Sequence, residues 1–377
     1  MLKKLKSTVK NLLANPQVRA VYNGTNRAVL AVAASNRLTA TIYSTVGFAT
    51  FNREQYAVLR GRSHYYRDIN RPQRNNVGLR RNIHRLEKGM VMQPRRDVFA
   101  LDYLGETIEF LEGALSRRSG SVRVDPNEVA WATDVLRAYF DMVDLSNPVI
   151  AEAKERFENV IGQIEPVEGI DEHPADRAVS DVVSRSPFLA GQRTSPEVTY
   201  DQMLNLATHR RSVRWFEQRE VPVELVDKAL AVARQSPTAC NREPYEFKIF
   251  TDPALAREVA GIPFGTGGYS EQVPAIAVVV GKLESYFSPR DRHAIYVDSS
   301  LAAMSFIYGL ETLGISSTII NWPDFEPLEI QMQRALGLDA SERVIMLIAF
   351  GYADPNGGVP FSQKKSIDSI RSINAKK

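Results

Sequence analysis

Arg210-Arg211-Ser212-Val213-Arg214-Trp215-Phe216 closes a segment of helical periodicity, Tyr200 to His209, and places three guanidinium groups and a hydroxyl within five residues. Arginine presents several N–H donors in a fixed fork that matches phosphate oxygens. Arg210 and Ser212 are therefore candidates to hold a terminal phosphate, and Arg214 could reach the polar edge of a ring. The competing reading is a basic helix C-terminus favoured by the helix dipole. Downstream, helical spacing over Pro222–Gln235, Ala254–Ala260, Asp298–Leu313 and Pro327–Leu336 alternates with strand-like runs at Tyr245–Phe250, Ala275–Gly281, Ile315–Ile320 and Arg343–Tyr352. Gly314 and Gly337 stand where helices are expected to stop. No Gly-x-Gly-x-x-Gly or Gly-x-x-x-x-Gly-Lys segment opens a helix. The expected class is α+β, helices around a central mixed sheet, rather than a pure βαβ repeat.

Three further stretches carry polar chemistry. Ser236-Pro237-Thr238-Ala239-Cys240-Asn241-Arg242-Glu243-Pro244-Tyr245 makes a turn able to offer hydrogen bonds to a heterocycle, or an ordinary helix-to-strand connection. Ile319-Ile320-Asn321-Trp322-Pro323 follows a buried strand and could face a flat ring. Gln363-Lys364-Lys365-Ser366-Ile367-Asp368 adds cations near the end of the chain: a basic tail, or the second side of one phosphate site.

In this order, Arg-Arg-Ser-Val-Arg-Trp-Phe at 210–216, the Ser-Pro-Thr to Pro-Tyr run at 236–245 and Asp-Ser-Ser-Leu-Ala-Ala-Met-Ser-Phe at 298–306 resemble the nitroreductase superfamily of flavin oxidoreductases. The resemblance covers about 170 residues. It implies an FMN-binding α+β fold, nitroreductase-like, and an intertwined homodimer with the flavins at the subunit interface. Carried over, it makes Arg210, Ser212 and one or both of Lys364 and Lys365 ligands of the FMN phosphate. Arg214 becomes the cation near the pyrimidine edge of the isoalloxazine, and Arg211 a position contacting backbone. Ser236, Thr238 and Asn241 resemble the turn that approaches FMN from the partner subunit, while Asn321 and Trp322 lie near flavin N5 and O4. Two departures stand out: Glu243 where glutamine is frequent, and Ile-Asn-Trp-Pro in place of a Pro-Ile-Glu-Gly segment. They bear on substrate and reductant more than on flavin binding.

The implied activity is hydride transfer from NADPH or NADH through flavin N5 to a small organic acceptor such as a nitroaromatic or a quinone. The cofactor carries the electron chemistry, so no side chain is required as a nucleophile. Two alternatives stay open: an FMN-binding regulatory or interaction module without efficient turnover, and a specialised reductive modification enzyme acting on an anionic metabolite.

A chain of 377 residues exceeds the size at which a single core usually stops growing. The division expected here is a mainly helical, basic amino-terminal region at 1–165, a linker or wrapping segment at 166–198 rich in Pro, Gly, Ser and acids, and the FMN-binding domain at 199–377. Helical patterns run through Val98–Leu115, Asn127–Asp141 and Pro148–Ile164, and a charged helix begins at Arg80 with Gly89 as its stop. Tyr56–Asn76, dense in Arg, Asn, Tyr and Gly, reads as a basic loop or extended arm. His84 is either a titrating group near an anionic substrate or a helix-surface residue among arginines. One cysteine, Cys240, excludes an intrachain disulfide, and five scattered histidines give no metal-ligand spacing.

Residues 1–100 hold 19 Lys or Arg against 4 Asp or Glu, a formal +15, which leaves −12 for the rest of a chain whose total is +3. Opposite charge can dock the two parts on each other, or draw the basic part to an anionic substrate or membrane surface; nucleic acid fits least well. Leu2, Leu5, Val9, Leu12 and Leu13 form an apolar stripe among lysines, suited to capping or packing between protomers, or to a membrane interface. Asn36 and Arg37 interrupt the apolar run Ala28–Ala34 well short of the ~20 residues that span a bilayer. No signal-peptide pattern follows Met1–Lys10, so the expected location is cytoplasmic, with peripheral membrane contact left open.

Overall fold

The computed structural model describes residues 16–47, 51–71, 74–115, 125–162, 185–193 and 195–374, with the side chains of 46 and 47 excepted. The lysine-rich stripe from Leu2 to Leu13 and residues 166–184 of the expected linker lie outside them. Two compact units are present, Met1–Ala57 and Val58–Lys377. In the first, α1 (Pro16–Ala33) and α2 (Arg37–Ile42) are separated by Asn36, whose side chain accepts from the amides of Leu38 and Thr39 at 3.0 Å each. That cap satisfies two of the donors a helix start leaves open. No described helix is long and apolar enough to cross a membrane.

The stretch expected to be a loop at 56–76 is mostly helix: α3 runs Asn52–Asp68. Val58, Gly61, Tyr65 and Asp68 recur at three- and four-residue spacing on one inward face, and the glycine and tyrosine that looked like loop residues are the packing surface. A Cβ on Gly61 would meet Leu283 at 2.7 Å from its Cβ and 2.8 Å from its carbonyl carbon, so the helix lies directly on backbone. Arg62 Nε donates to the Phe287 carbonyl at 2.9 Å, and Arg60 pairs with Asp339 at 3.1 Å. These are contacts of the basic part with the acidic one.

Four helices follow: α4 (Val77–Met90), α5 (Leu104–Leu115), α6 (Pro126–Phe140) and α7 (Pro148–Gly162). The first starts three residues ahead of Arg80 and runs through Gly89, whose missing Cβ leaves room for the Phe99 ring. Leu79, Ile83, Leu86 and Met90 line its inner face and join Ile108, Leu111, Leu136, Tyr139 and Ile150 in one apolar cluster. Burying each such side chain contributes ~1.5–3 kcal/mol. His84 sits on the same helix with Nδ1 3.4 Å from Glu87, a helix-surface pair.

The remaining elements are α8 (Tyr200–His209), α9 (Val223–Ala233), β1 (Tyr245–Phe250), α10 (Pro253–Ala260), β2 (Ala275–Lys282), α11 (Ala294–Thr312), β3 (Ser316–Asn321), α12 (Glu326–Leu336), β4 (Glu342–Gly351) and the short α13 (Ile367–Ile370). The fold is α+β. The strands pair in the order β1-β2-β4-β3, antiparallel throughout, and the parallel pairing comes from an isolated bridge between Ser212 and Ser317. Ile276, Val278 and Val280 of β2 point to one face, where they meet Ala256 and Val259 of α10 and Met332 of α12. On the other, Phe306 of α11 packs against Phe247 and Phe350 with ring centroids 5.2 and 6.0 Å away. β2 is buried on both faces from Ala275 to Gly281, which explains its unbroken apolar run. Gly337 closes α12 at φ 66°, a left-handed cap open to glycine at little cost.

Candidate functional site

The arginine motif is held as an added strand against the sheet edge. Val213 N donates to Ser317 O at 3.0 Å, and Glu217 N to Tyr352 O at 2.8 Å. Between these two anchors Gln272 grips the segment: its Oε1 accepts from Phe216 N at 2.9 Å while its Nε2 donates to the Arg214 carbonyl. Val213 and Phe216 are buried in the sheet core, and Trp215 is largely exposed. Apolar anchors at 213 and 216 fix the backbone, so the intervening polar side chains stay near the surface.

Arg210 caps α8 through its amide to Leu206 O. Arg211 Nη1 and Arg214 Nη1 donate to the backbone carbonyls of Arg210 and Ser212 at 3.4 Å each. Arg214 also lies over the Tyr269 ring, 5.9 Å from its centroid. Among the described residues no carboxylate ion-pairs with any of the three guanidiniums. Glu311 of α11 is paired at 3.4 Å with His209, and burial raises its pKa while His209 and the charge of Arg210 oppose that rise. Three cations and a hydroxyl are thus gathered on one edge, where Glu311 acts on Arg210 through charge but forms no salt bridge with it.

Ser236, Thr238 and Asn241 lie in a second locus. Ser236 Oγ is 2.7 Å from Ser305 Oγ of α11. Thr238 Oγ1 accepts from Glu243 N at 3.1 Å, and Ala239 N donates to Asp298 Oδ2 at 3.0 Å. Cys240, Asn241 and Glu243 have φ of 56°, 52° and 47°. Left-handed backbone at a non-glycine residue costs ~1–3 kcal/mol and persists only where its surroundings impose it. Asp298, buried at the start of this network, also accepts from Tyr286 Oη at 3.0 Å; burial pushes its carboxyl up against those hydrogen bonds.

The two loci sit at opposite corners of the sheet. The turn leads into β1 and the arginine motif flanks β3, the two outer strands of four, which at ~4.8 Å per step are ~14 Å apart. Tyr245 is level with Gly281 and thus with Arg343, whereas Ser317 is level with Phe350, an axial offset of ~23 Å at ~3.3 Å per residue. One protomer therefore does not bring Ser212 and Asn241 together.

Asn321 is exposed at the far end of β3, four residues or ~13 Å along the strand from Ser317. Trp322 is buried in the sheet core, its Nε1 donating to Glu329 Oε1, a carboxylate that lies 3.9 Å from the buried Arg343. Lys364 and Lys365 lie on the exposed carboxy-terminal segment, and no hydrogen bond among the described residues joins them to the arginine motif. The residues that sequence reasoning missed are Gln272, Tyr269 and Arg80. Gln272 gives no local signal, because its role is to grip a segment 56 positions away. No group of three or more His, Cys, Asp or Glu among the described residues could hold a metal ion.

Residues 207–278 and 262–352 match the model of the Nitroreductase family. An iodotyrosine deiodinase 1 of Pongo abelii is 20% identical over 197 residues, 45% of this chain and 67% of that protein. An iodotyrosine deiodinase of Haliscomenobacter hydrossis is 24% identical over 219 residues, 49% of this chain and 93% of that one. Among solved structures, an FMN-dependent nitroreductase from Clostridium difficile R20291 superposes with a TM-score of 0.41 at 20% identity, over 46% of this chain and 100% of its own. Residues 207–352, which carry the arginine motif and the four-stranded sheet, are a nitroreductase-family domain, preceded by a helical region outside the matched residues.

Proposed function

We propose that the chain is an FMN-dependent oxidoreductase that draws on NADPH or NADH, reduces a small organic acceptor such as a nitroaromatic or a quinone, and works as a homodimer. The observation that carries this reading is the edge that gathers Arg210, Arg211, Ser212 and Arg214, where no carboxylate among the described residues forms a salt bridge with a guanidinium and Glu311 acts on Arg210 through charge alone. That donor set fits a doubly charged phosphate joined to a polar ring. When bound, FMN supplies the two-electron chemistry. Arg210 and Ser212 would hold its phosphate, with one or both of Lys364 and Lys365 closing on the same anion. Arg214 would keep a positive charge beside the ring edge where negative charge builds on reduction, its backbone held in advance by Gln272.

Asn321, at the other end of β3, orients the ring edge, with Trp322 fixing the strand end behind it. The opposite corners occupied by Ser212 and Asn241 favour a site completed by two copies, with Ser236, Thr238 and Asn241 supplied by the second. Arg210→Ala tests the reading: loss of FMN from a folded protein supports it, and undiminished FMN content counts against it.

The likeness to iodotyrosine deiodinases favours one further reading, a specialised reductive modification in which two electrons and a proton replace a carbon–halogen bond by carbon–hydrogen and release halide. Ion-selective measurement of halide release from halogenated phenols, run beside nitro reduction, separates the two.

A further inference from the structure

We infer that Arg80, in the helical region ahead of the nitroreductase-family domain, is a positioning residue that holds the Thr238–Glu243 turn in its flavin-facing shape; this rests on the flavin reading above. The side chain is nine-tenths buried and addresses three elements at once. Its Nε donates to the Asn241 carbonyl at 2.7 Å, its Nη1 to Glu128 of α6 at 2.6 Å, and its Nη2 to Glu243. The guanidinium plane lies over the Trp131 ring, 5.6 Å from its centroid, and Trp131 is fixed in turn by its Nε1 bond to Glu87 at 3.0 Å. Only a planar fork with donors on separate nitrogens reaches three acceptors in three directions; an ammonium does not.

The turn needs such a clamp. Three of its residues hold positive φ without a glycine among them. Thr238 and Asp298 tie its leading half through the amides of Glu243, Asn241 and Ala239. Arg80 takes the Asn241 carbonyl and the Glu243 carboxylate on the trailing half. Burial pushes the Glu243 carboxyl up, and Arg80 opposes that. Without Arg80 this partly exposed acid loses its guanidinium partner and keeps only the charge of Arg234, and the turn relaxes or Glu243 takes up a proton. The amino-terminal helices are then a working part of the site.

The test is FMN affinity by fluorescence quenching, with the visible circular dichroism of the bound flavin, for Arg80→Met, Arg80→Lys, Glu243→Gln and the double variant Arg80→Met/Glu243→Gln. Far-UV circular dichroism confirms that each is folded at the working temperature. Arg80→Met is expected to raise the Kd roughly 10- to 100-fold and to alter the flavin signal, Arg80→Lys to do so less, and the double variant to regain part of the loss by removing the unpaired acid. Wild-type Kd and flavin dichroism in Arg80→Met would overturn the proposal. If Arg80→Met does not fold, Arg80→Lys carries the test: weaker binding supports it and an unchanged Kd overturns it. A wild-type protein that takes up no FMN overturns the flavin reading and this proposal together, whereas a flavin-binding wild type with an indifferent Arg80→Met overturns the role of Arg80 alone.

Discussion

The amide of Val213 donates to the carbonyl of Ser317 at 3.0 Å, and that one rung seats the arginine motif on the open edge of β3. Because Phe216 is pinned by Gln272 three residues on, the side chains at 210, 212 and 214 are presented by a fixed backbone rather than by a loose loop. Positions 210 and 214 are expected to do different work. Arg210→Ala should weaken FMN roughly 10- to 100-fold and leave riboflavin, which lacks the phosphate, little affected. Arg214→Ala should keep FMN within a few-fold of wild type while lowering the flavin's reduction potential and slowing its reduction. Titration calorimetry with both flavins and stopped-flow reduction distinguish them.

Gly61 is expected to tolerate no side chain. Gly61→Ala drives a methyl into Leu283 backbone and should cost ~1–3 kcal/mol, although alanine is the better helix former. A higher midpoint in urea would show that α3 does not lie on the 283–287 segment as described.

Ile83 in the helical core and Phe306 in the sheet core belong to one compact unit. Ile83→Ala should cost ~2–5 kcal/mol and Phe306→Ala ~3–5 kcal/mol, each shifting the same cooperative transition. Calorimetry checks this, since two separable transitions that respond to one substitution each would mean independent cores.

Asp339 carries a pH signature. Burial pushes its carboxyl up, but hydrogen bonds from Arg60 and Ser341 and the nearby His64 outweigh that and hold its pKa at about 2, below the ordinary 3.8. A depressed carboxylate pKa stabilises the fold above the unfolded value, and the contribution is lost as pH falls from 3.8 through about 2. With both side chains of the Arg60 pair partly exposed, its worth is at most ~1 kcal/mol. Asp339→Asn should lose that much at neutral pH and flatten the stability profile between pH 4 and 2, read by chemical denaturation across the range.

Much of the sheet half was legible because its signals are local. The apolar run of β2, the glycine stop at 337 and the clustered arginines each declare themselves within a few residues. The α3 segment was not, since its inward face is built from Gly61 and Tyr65, which acquire meaning only against Leu283 and Phe287. Arg80 and Gln272 escaped for the same reason: their partners lie 161 and 56 positions away. Position 243 shows the limit plainly. Its glutamate could be seen in the sequence, while the arginine that answers it could not.

The most direct test of the account is the visible absorption spectrum of the gently purified protein, followed in the same cuvette by anaerobic titration with NADPH and then NADH. A bound FMN spectrum that bleaches with one of them is the predicted result. A protein that neither retains FMN nor takes it up on reconstitution would contradict the site built on Arg210, Ser212 and Arg214.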